Sequence, residues 1–302
     1  MKLNFNPLRA LITVFVVAIF LGCGEEEKTA PVSEKPTKER KAIDLEKAAL
    51  FKVGNEIISI PSPVQTAFLL KKSGSAYRSD MLNDPKKISN YSTRFQRSIN
   101  LGVYGADLGY ATIYDQTAEA MSFITSTKRL ADELGVTSAF NPELMKRFEA
   151  NMGIQDSLLT IMGDAYKASN QFFQNSEQEE VGALVLCGGW IEALHFATIV
   201  AQNDGHEMVK TRIAEQKGSL LNLIKLLEKN TEADEIAEFV AELIDLYYLF
   251  DEVESVYTWK EPTTDEDSKT TVVNSVTEAS ATEDQLSAIA SKVESIRNHI
   301  IG

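Results

Sequence analysis

The chain has 302 residues, with 44 acidic against 30 basic side chains and a formal net charge of −14. A surface this acidic repels nucleic acid and anionic lipid, which excludes nucleic-acid binding and recruitment to a membrane by a basic patch. Only two cysteines are present, too few for a disulfide framework. Stability must therefore come from a packed core, for which a chain of this length is sufficient.

The first element is a leader over residues 1–23. Two basic residues precede the uncharged apolar run Ala10–Leu21, and the small residue Gly22 stands directly before Cys23. The run is shorter than the roughly 20 residues that a membrane-spanning helix needs, and the pattern is typical of a cleaved secretory signal. We therefore predict a signal peptide over residues 1–22.

The end of this leader, Phe20-Leu21-Gly22-Cys23, resembles the lipobox of bacterial lipoproteins. In that family the signal is cut before the cysteine, which is then acylated, so the resemblance implies a membrane anchor of palmitate-type chains at Cys23. Ordinary signal cleavage and a retained anchor are the alternatives. The acidic run after Cys23 resembles the surface-export signal of Bacteroidota lipoproteins, which implies a surface-exposed lipoprotein of the outer membrane. A solvated start to a linker is the other interpretation of that run.

After the anchor, residues 23–41 are charged and contain prolines, which predicts a flexible tether. A short helix is then expected from Asp44 to about Ile58. A second helix should run from Pro63 to about Lys72, with Ser62 as its N-cap.

From residue 86 onward the apolar residues recur with helical spacing almost without interruption. Alternation with a period of two is confined to Thr270–Val276. The sequence thus predicts an all-α fold, an irregular antiparallel bundle of about eight to ten helices with no substantial sheet, over residues 42–260. The expected helices lie near 86–114, 116–134, 142–150, 154–175, 178–203, 206–229 and 232–258.

The C-terminal part is predicted to contain an acidic mobile loop over residues 261–282 and a helix over residues 283–302. That helix carries one apolar stripe and should dock on the bundle, with docking on a partner as the alternative. Its stripe consists of Leu286, Ile289, Val293, Ile296 and Ile300. The preceding helix has a similar seam of Ile236, Val240, Leu243, Tyr247, Phe250 and Tyr257.

Two groups of glycines indicate a close helix contact. Each glycine costs about 1 kcal/mol relative to alanine inside a helix, so a cluster of them implies that another backbone or a ligand comes near. We expect the two groups to face each other, and a leucine at Gly105 or Gly188 to force the helices apart. A groove for a small apolar or aromatic ligand is the alternative. The groups are Gly102, Gly105 and Gly109, and Gly182, Gly188 and Gly189.

Candidate ligand-binding residues surround these glycines: Tyr104, Asp107, Tyr110, Trp190, Glu192 and His195. Asp107 shares a helix side with Tyr110 and Tyr114, which favours a hydrogen-bond network with tyrosine hydroxyls over a catalytic acid.

Glu192 and His195 have the Glu-x-x-His spacing of di-iron helical bundles, but such a site needs a second copy, and neither other histidine supplies one. A single metal held by Glu192, His195 and another carboxylate remains an alternative. The usual catalytic and nucleotide-binding motifs are missing from the sequence, so it implies no catalytic residue, no metal and no cofactor. Cys187 is expected to be a buried apolar residue.

The sequence therefore favours a lipid-anchored helical protein of the cell envelope that acts as a binding or interaction module. Its partner would be an envelope protein or a small apolar ligand. The alternatives are a metal- or carboxylate-dependent enzyme centred on Glu192 and His195, and an architectural helical module that recruits an envelope partner. The whole chain also resembles uncharacterised all-helical lipoproteins of Bacteroidota, a likeness that implies no activity.

Overall fold

The body of the protein is mostly helical, as predicted. Contacts divide the chain into Met1–Lys41 and Ala42–Gly302. The signal peptide, Cys23, the tether and the first residues of the expected helix at Asp44 lie outside the described residues. The computed structural model describes residues 50–53, 56–139, 142–151, 154–175, 178–230, 233–265 and 269–302.

Within those ranges there are ten α-helices, numbered in chain order. They are α1 (Pro63–Ser73), α2 (Arg94–Ile113), α3 (Thr117–Leu134), α4 (Pro142–Ala150), α5 (Gln155–Asn175), α6 (Glu179–Asp204), α7 (Glu207–Ala214), α8 (Lys217–Leu227), α9 (Asp234–Asp251) and α10 (Glu283–Ile301). Short 3-10 helices occupy Ser79–Met81, Pro85–Asn90, Thr137–Ala139 and Glu228–Asn230.

The start of α1 follows the predicted capping chemistry. The hydroxyl of Ser62 accepts a hydrogen bond from the Gln65 N–H, and Pro63 is the first helical residue. Two expected helices differ in extent. The first long one begins at Arg94, where Thr93 forms a capping box with Gln96. The helix expected over 206–229 is divided into α7 and α8.

Short antiparallel strand pairs correct the expectation of an all-α fold with no substantial sheet. The first pair is β1 (Leu50–Val53) with β2 (Glu56–Ser59), in the region where a helix was expected. That expectation was wrong for these residues. The two residues between the strands in sequence, Gly54 and Asn55, are of the types that two-residue hairpin loops prefer.

Four further strands lie between α9 and α10, where an acidic mobile loop was expected. They are β3 (Glu254–Thr258), β4 (Thr263–Asp265), β5 (Thr270–Val272) and β6 (Val276–Ser280). β3 pairs with β6 and β4 pairs with β5, both antiparallel, so the segment is a β-ribbon. The helix expected over 232–258 therefore ends at Asp251, and Tyr257 belongs to β3 and is exposed. We call the described residues of this segment, 254–265 and 269–280, the ribbon.

α6 is the central helix of the core. It packs against α1, α2, α7, α8 and α10. Because its residues are apolar on nearly every side, it has no polar face to turn to water, which is typical of a helix enclosed by others. By length and composition α6 is the one described helix able to cross a membrane, but 83% of its most apolar stretch is buried within the protein.

α10 docks on the bundle, as predicted. The five residues of its stripe are all buried, in the same core cluster as α6 and α9. A polar contact adds to this packing, since the side-chain amide of Asn100 on α2 donates to the backbone oxygen of Ile300 at 2.6 Å.

Candidate functional site

α2 and α6 contact each other through glycines, which confirms the prediction for Gly102 and Gly188. A Cβ atom on Gly102 would lie 2.0 Å from the backbone oxygen of Val185, and one on Gly188 would lie 1.9 Å from that of Ile99. Both distances are far inside van der Waals contact, so only glycine allows the two backbones to approach this closely. At these positions another backbone fills the space that a ligand groove would need.

The expectation for Gly105 was wrong. A Cβ atom there would meet nothing within 4 Å. The α2 glycine that follows, Gly109, faces the side chains of Val64 and Met162 instead of α6. The close contact of α2 with α6 is thus made at Gly102.

The close approach of α2 and α6 brings a charged cluster into the core. Arg297 of α10 donates from Nε to Glu192 Oε2 at 2.6 Å and from Nη2 to Oε1 at 2.7 Å. Its Nη2 also donates to the backbone oxygen of Met81 at 2.9 Å. Glu192 is fully buried and Arg297 nearly so. Both oxygens of Glu192 are therefore already engaged by a bidentate ion pair, the geometry for which arginine is best suited.

Asp107 of α2 is fully buried in the same cluster, and neither of its carboxylate oxygens has a hydrogen-bond partner among the described residues. Burial, and then repulsion from Glu192, raises the pKa of Asp107 well above its usual value, against a smaller lowering by Arg297. The shift favours the protonated, neutral form of the Asp107 side chain over the carboxylate. A protonated Asp107 avoids the large cost of an unpaired negative charge in the core.

The expected network between Asp107 and tyrosine hydroxyls is not formed. The Tyr110 hydroxyl accepts a hydrogen bond from the Arg78 N–H at 3.1 Å, and the Tyr114 hydroxyl donates to the Ser75 backbone oxygen at 3.1 Å. Helical spacing puts these tyrosines on the same side of α2 as Asp107, but each hydroxyl forms a hydrogen bond with a backbone group instead.

His195 lies one turn after Glu192 on α6 and is also buried. Burial first, and the nearby Arg297 second, lowers the pKa of His195 to about 3, so the imidazole is neutral at neutral pH. Among the described residues no group of three or more His, Cys, Asp or Glu side chains is arranged to hold a metal ion. With Glu192 bound to Arg297, the Glu-x-x-His pair is part of the core packing.

The aromatic candidates also have partners inside the core. The Tyr104 hydroxyl donates to the backbone oxygen of Asp84 at 2.9 Å. Trp190 Nε1 donates to Gln216 Oε1 at 3.1 Å. A small pocket beside Trp190 has a volume of about 10 Å³, at the lower limit for one water molecule. Cys187 is buried, as predicted, and burial raises the pKa of its thiol.

Arg297 is the member of this cluster that the sequence analysis missed. It stands four residues after Val293 and directly after Ile296, so it falls next to the apolar stripe of α10. A lone cation at a core-facing helical position is a signal for a buried acidic partner, because an unpaired charge there would be very costly.

The second feature that the sequence analysis missed is the surface of the ribbon. Its exposed apolar side chains are Val256, Tyr257, Trp259, Val272, Val273 and Val276, with exposed fractions of 66% for Trp259 and 72% for Val273. Solvent-exposed aromatic and aliphatic side chains concentrated on one element are typical of an interaction site.

A bulge separates the two strand pairs of the ribbon, and side-chain hydrogen bonds join the two chain segments there. The Asn274 side-chain amide donates to the Glu261 backbone oxygen and to Thr263 Oγ1, both at 2.7 Å. Ser275 Oγ accepts from the Lys260 N–H at 3.0 Å. Four residues on one side, 259–262, oppose three on the other, 273–275. Bulges of this kind bend a ribbon and redirect its side chains, here next to Trp259 and Val273.

Comparison with protein-family models, with curated proteins and with solved structures finds no match. The functional interpretation therefore depends on the residues and contacts of this chain alone.

Proposed function

We propose that the protein is a lipid-anchored protein of the bacterial cell envelope that binds a partner protein through the ribbon. Cys23 would hold the chain at the outer membrane, the tether would separate the body from the bilayer, and the helical body would act as a rigid scaffold. The anchor and the surface location are inferred from the lipobox and the acidic run that follows it. Two or three acyl chains are enough for stable attachment.

The observation that carries the binding role is the concentration of exposed aromatic and valine side chains on the ribbon, centred on Tyr257 and Trp259. Tyrosine and tryptophan are the residues most often found at the energetic centre of protein interfaces. Their apolar surface contributes nothing to the stability of the isolated molecule while it is exposed, whereas its burial against a partner contributes roughly 25 cal/mol per Å².

The core cluster supports a binding role over a catalytic one. Glu192 and Arg297 form a bidentate ion pair. Asp107 is fully buried with a raised pKa, and His195 is buried and neutral at neutral pH. A catalytic acid or base must reach its substrate, and these groups lie beneath packed helices. The same residues fit a structural role, fastening α10 to α6.

Site-specific photo-crosslinking in the cells that make the protein tests this function. A photoreactive phenylalanine analogue in place of Trp259 should give one discrete adduct with another protein. The same analogue in place of Lys128, which is exposed on α3, serves as the matched control and should not give that adduct. Identical adduct patterns from the two positions, or none from Trp259, would contradict the proposed binding surface.

A further inference from the structure

We infer that the partner supplies an extended basic segment that adds to the ribbon as a further strand along the open edge of β3. This inference rests on the proposed binding function and specifies how the ribbon binds. It follows from three properties of the ribbon: an unblocked strand edge, apolar anchors beside that edge, and an acidic surrounding.

The first property is the open edge. β6 lies beside α7, and the burial of the Ala279 side chain shows that one face of the ribbon packs against the body there. All five residues of β3 are exposed, and β3 pairs only with β6 in the described sheets. Alternate residues of an antiparallel strand direct their N–H and C=O groups away from the paired strand. β3 thus offers backbone hydrogen-bonding groups to an incoming strand.

Edges of this kind are usually protected by lysine, proline or a bulge within the strand. The sequence of β3, Glu254–Thr258, contains neither lysine nor proline, and its one charged residue, Glu254, stands at its first position. Its pairing with β6 is regular over all five residues. The bulge comes only after Thr258. The open edge of β3 is therefore five residues long, which is enough to pair with a short peptide strand.

The second property is the set of anchors. Val256 and Val276 lie on one face of the ribbon, because directly opposed residues share a face and Val256 is opposite Glu278 while Val276 is opposite Thr258. Tyr257 lies on the other face, and Trp259 follows at the bulge. Successive side chains of an added strand point to opposite faces of the ribbon. Those on one face would contact Val256, and those on the other would contact Tyr257.

The third property is charge. The described ribbon has four acidic side chains, Glu254, Glu261, Asp265 and Glu278, against Lys260 and Lys269. A basic segment complements this surface. A second copy of the chain, at −14, and an anionic lipid surface would both be repelled by it. The charge therefore selects a basic peptide over self-association or lipid as the occupant.

A displayed library of random 15-residue peptides, selected on the immobilised full-length protein, tests the inference. Counter-selection uses the double variant Tyr257→Ser/Trp259→Ser, which removes the anchors and leaves the body unchanged. Enriched peptides should carry a net positive charge and alternate basic with β-branched or aromatic residues. No enrichment dependent on Tyr257 and Trp259, or enrichment of acidic or helical peptides, would overturn the inference.

A second measurement separates strand addition from other binding modes and does not depend on the folding of any variant. N-methylation of alternate amides in an enriched peptide should reduce its affinity about tenfold or more in one register and little in the other, because only one set of N–H groups faces β3. Equal effects in both registers would overturn strand addition. The emission of Trp259 reports binding by a shift to shorter wavelength, since Trp190 is already buried.

Two other occupants are outcomes of the same experiments. A shift of Trp259 emission in phosphatidylethanolamine vesicles without peptide would assign the ribbon to the membrane. A dimer that dissociates on Tyr257→Ser/Trp259→Ser would assign it to a second copy. Either result overturns the basic-segment inference. If crosslinking at Trp259 identifies a partner protein but no peptide binds as a strand, the proposed function stands and only this binding mode fails.

Discussion

Arg297 and Glu192 form a bidentate ion pair inside the core, with N–O distances of 2.6 and 2.7 Å. The pair joins α10 to α6, across 105 residues of sequence. Since Arg297 also donates to the backbone oxygen of Met81, one side chain connects the C-terminal helix, the central helix and the segment before α2.

The first prediction concerns this pair. Arg297→Met should lower the free energy of unfolding by about 3–5 kcal/mol, because it leaves the Glu192 carboxylate buried without a partner. The double variant Glu192→Met/Arg297→Met should be closer to the wild type than either single variant. Denaturant titration of the four proteins measures the coupling. Additive losses in the double variant would show that the two side chains do not act as a pair.

The second prediction concerns the raised pKa of Asp107. In the unfolded chain the Asp107 carboxyl has a pKa of about 3.9. In the folded protein, burial and then repulsion from Glu192 raise the pKa of this carboxyl. The folded chain keeps its proton where the unfolded chain has lost it, so wild-type stability falls as pH rises above the unfolded pKa towards the folded one. An asparagine side chain at this position has no proton to lose in that range and removes this dependence.

Asp107→Asn should therefore become more stabilising, relative to the wild type, as pH rises above the unfolded pKa of about 3.9. Melting temperatures across that range give the difference. A difference for Asp107→Asn that stays constant or decreases with pH would contradict a raised pKa of Asp107 in the folded protein.

The third prediction compares two glycines. Gly188→Ala places a Cβ atom against the Ile99 backbone oxygen and should destabilise by about 3 kcal/mol, the upper part of the overpacking range. Gly105→Ala has free space and should stabilise α2 by up to about 1 kcal/mol, since alanine is the better helix former. Thermal melting distinguishes the two, and equal changes would contradict the close contact at Gly188.

The fourth prediction concerns the anchor. Cys23→Ser should abolish incorporation of radiolabelled palmitate and move the protein out of the membrane fraction. The circular dichroism of the body should not change, because Cys23 lies outside Ala42–Gly302. Palmitate incorporation that persists in the variant would refute lipidation at this cysteine.

The helices and their main contact were predictable because their signals are local. The five apolar residues of α10 recur at helical spacing, and the glycines of α2 and α6 are rare enough in helices to indicate contact. Which glycine lies at the crossing point depends on where the helices meet, which the sequence of one helix does not specify. Gly102 is at that point, and Gly105, one turn later, is not.

The buried cluster and the ribbon were harder to predict because they depend on pairings distant in sequence. Arg297 stands beside an apolar stripe, but its partner Glu192 lies on another helix. In the ribbon each strand has three to five residues, with exposed side chains at nearly every position. Alternation with a period of two is limited to Thr270–Val276, which is too short to distinguish the whole segment from a loop. Only the register of β3 with β6 reveals the strand edge and its anchors.

Hydroxyl-radical footprinting on intact cells and on the purified protein tests the central claim most directly. Tyr257 and Trp259 of the ribbon should be labelled more slowly in cells than in the purified protein, because a partner covers them. Tyr248 on α9, as exposed as Tyr257, is an internal control that should be labelled equally in both. Equal labelling of Tyr257 and Trp259 in the two samples would contradict the ribbon as the binding surface.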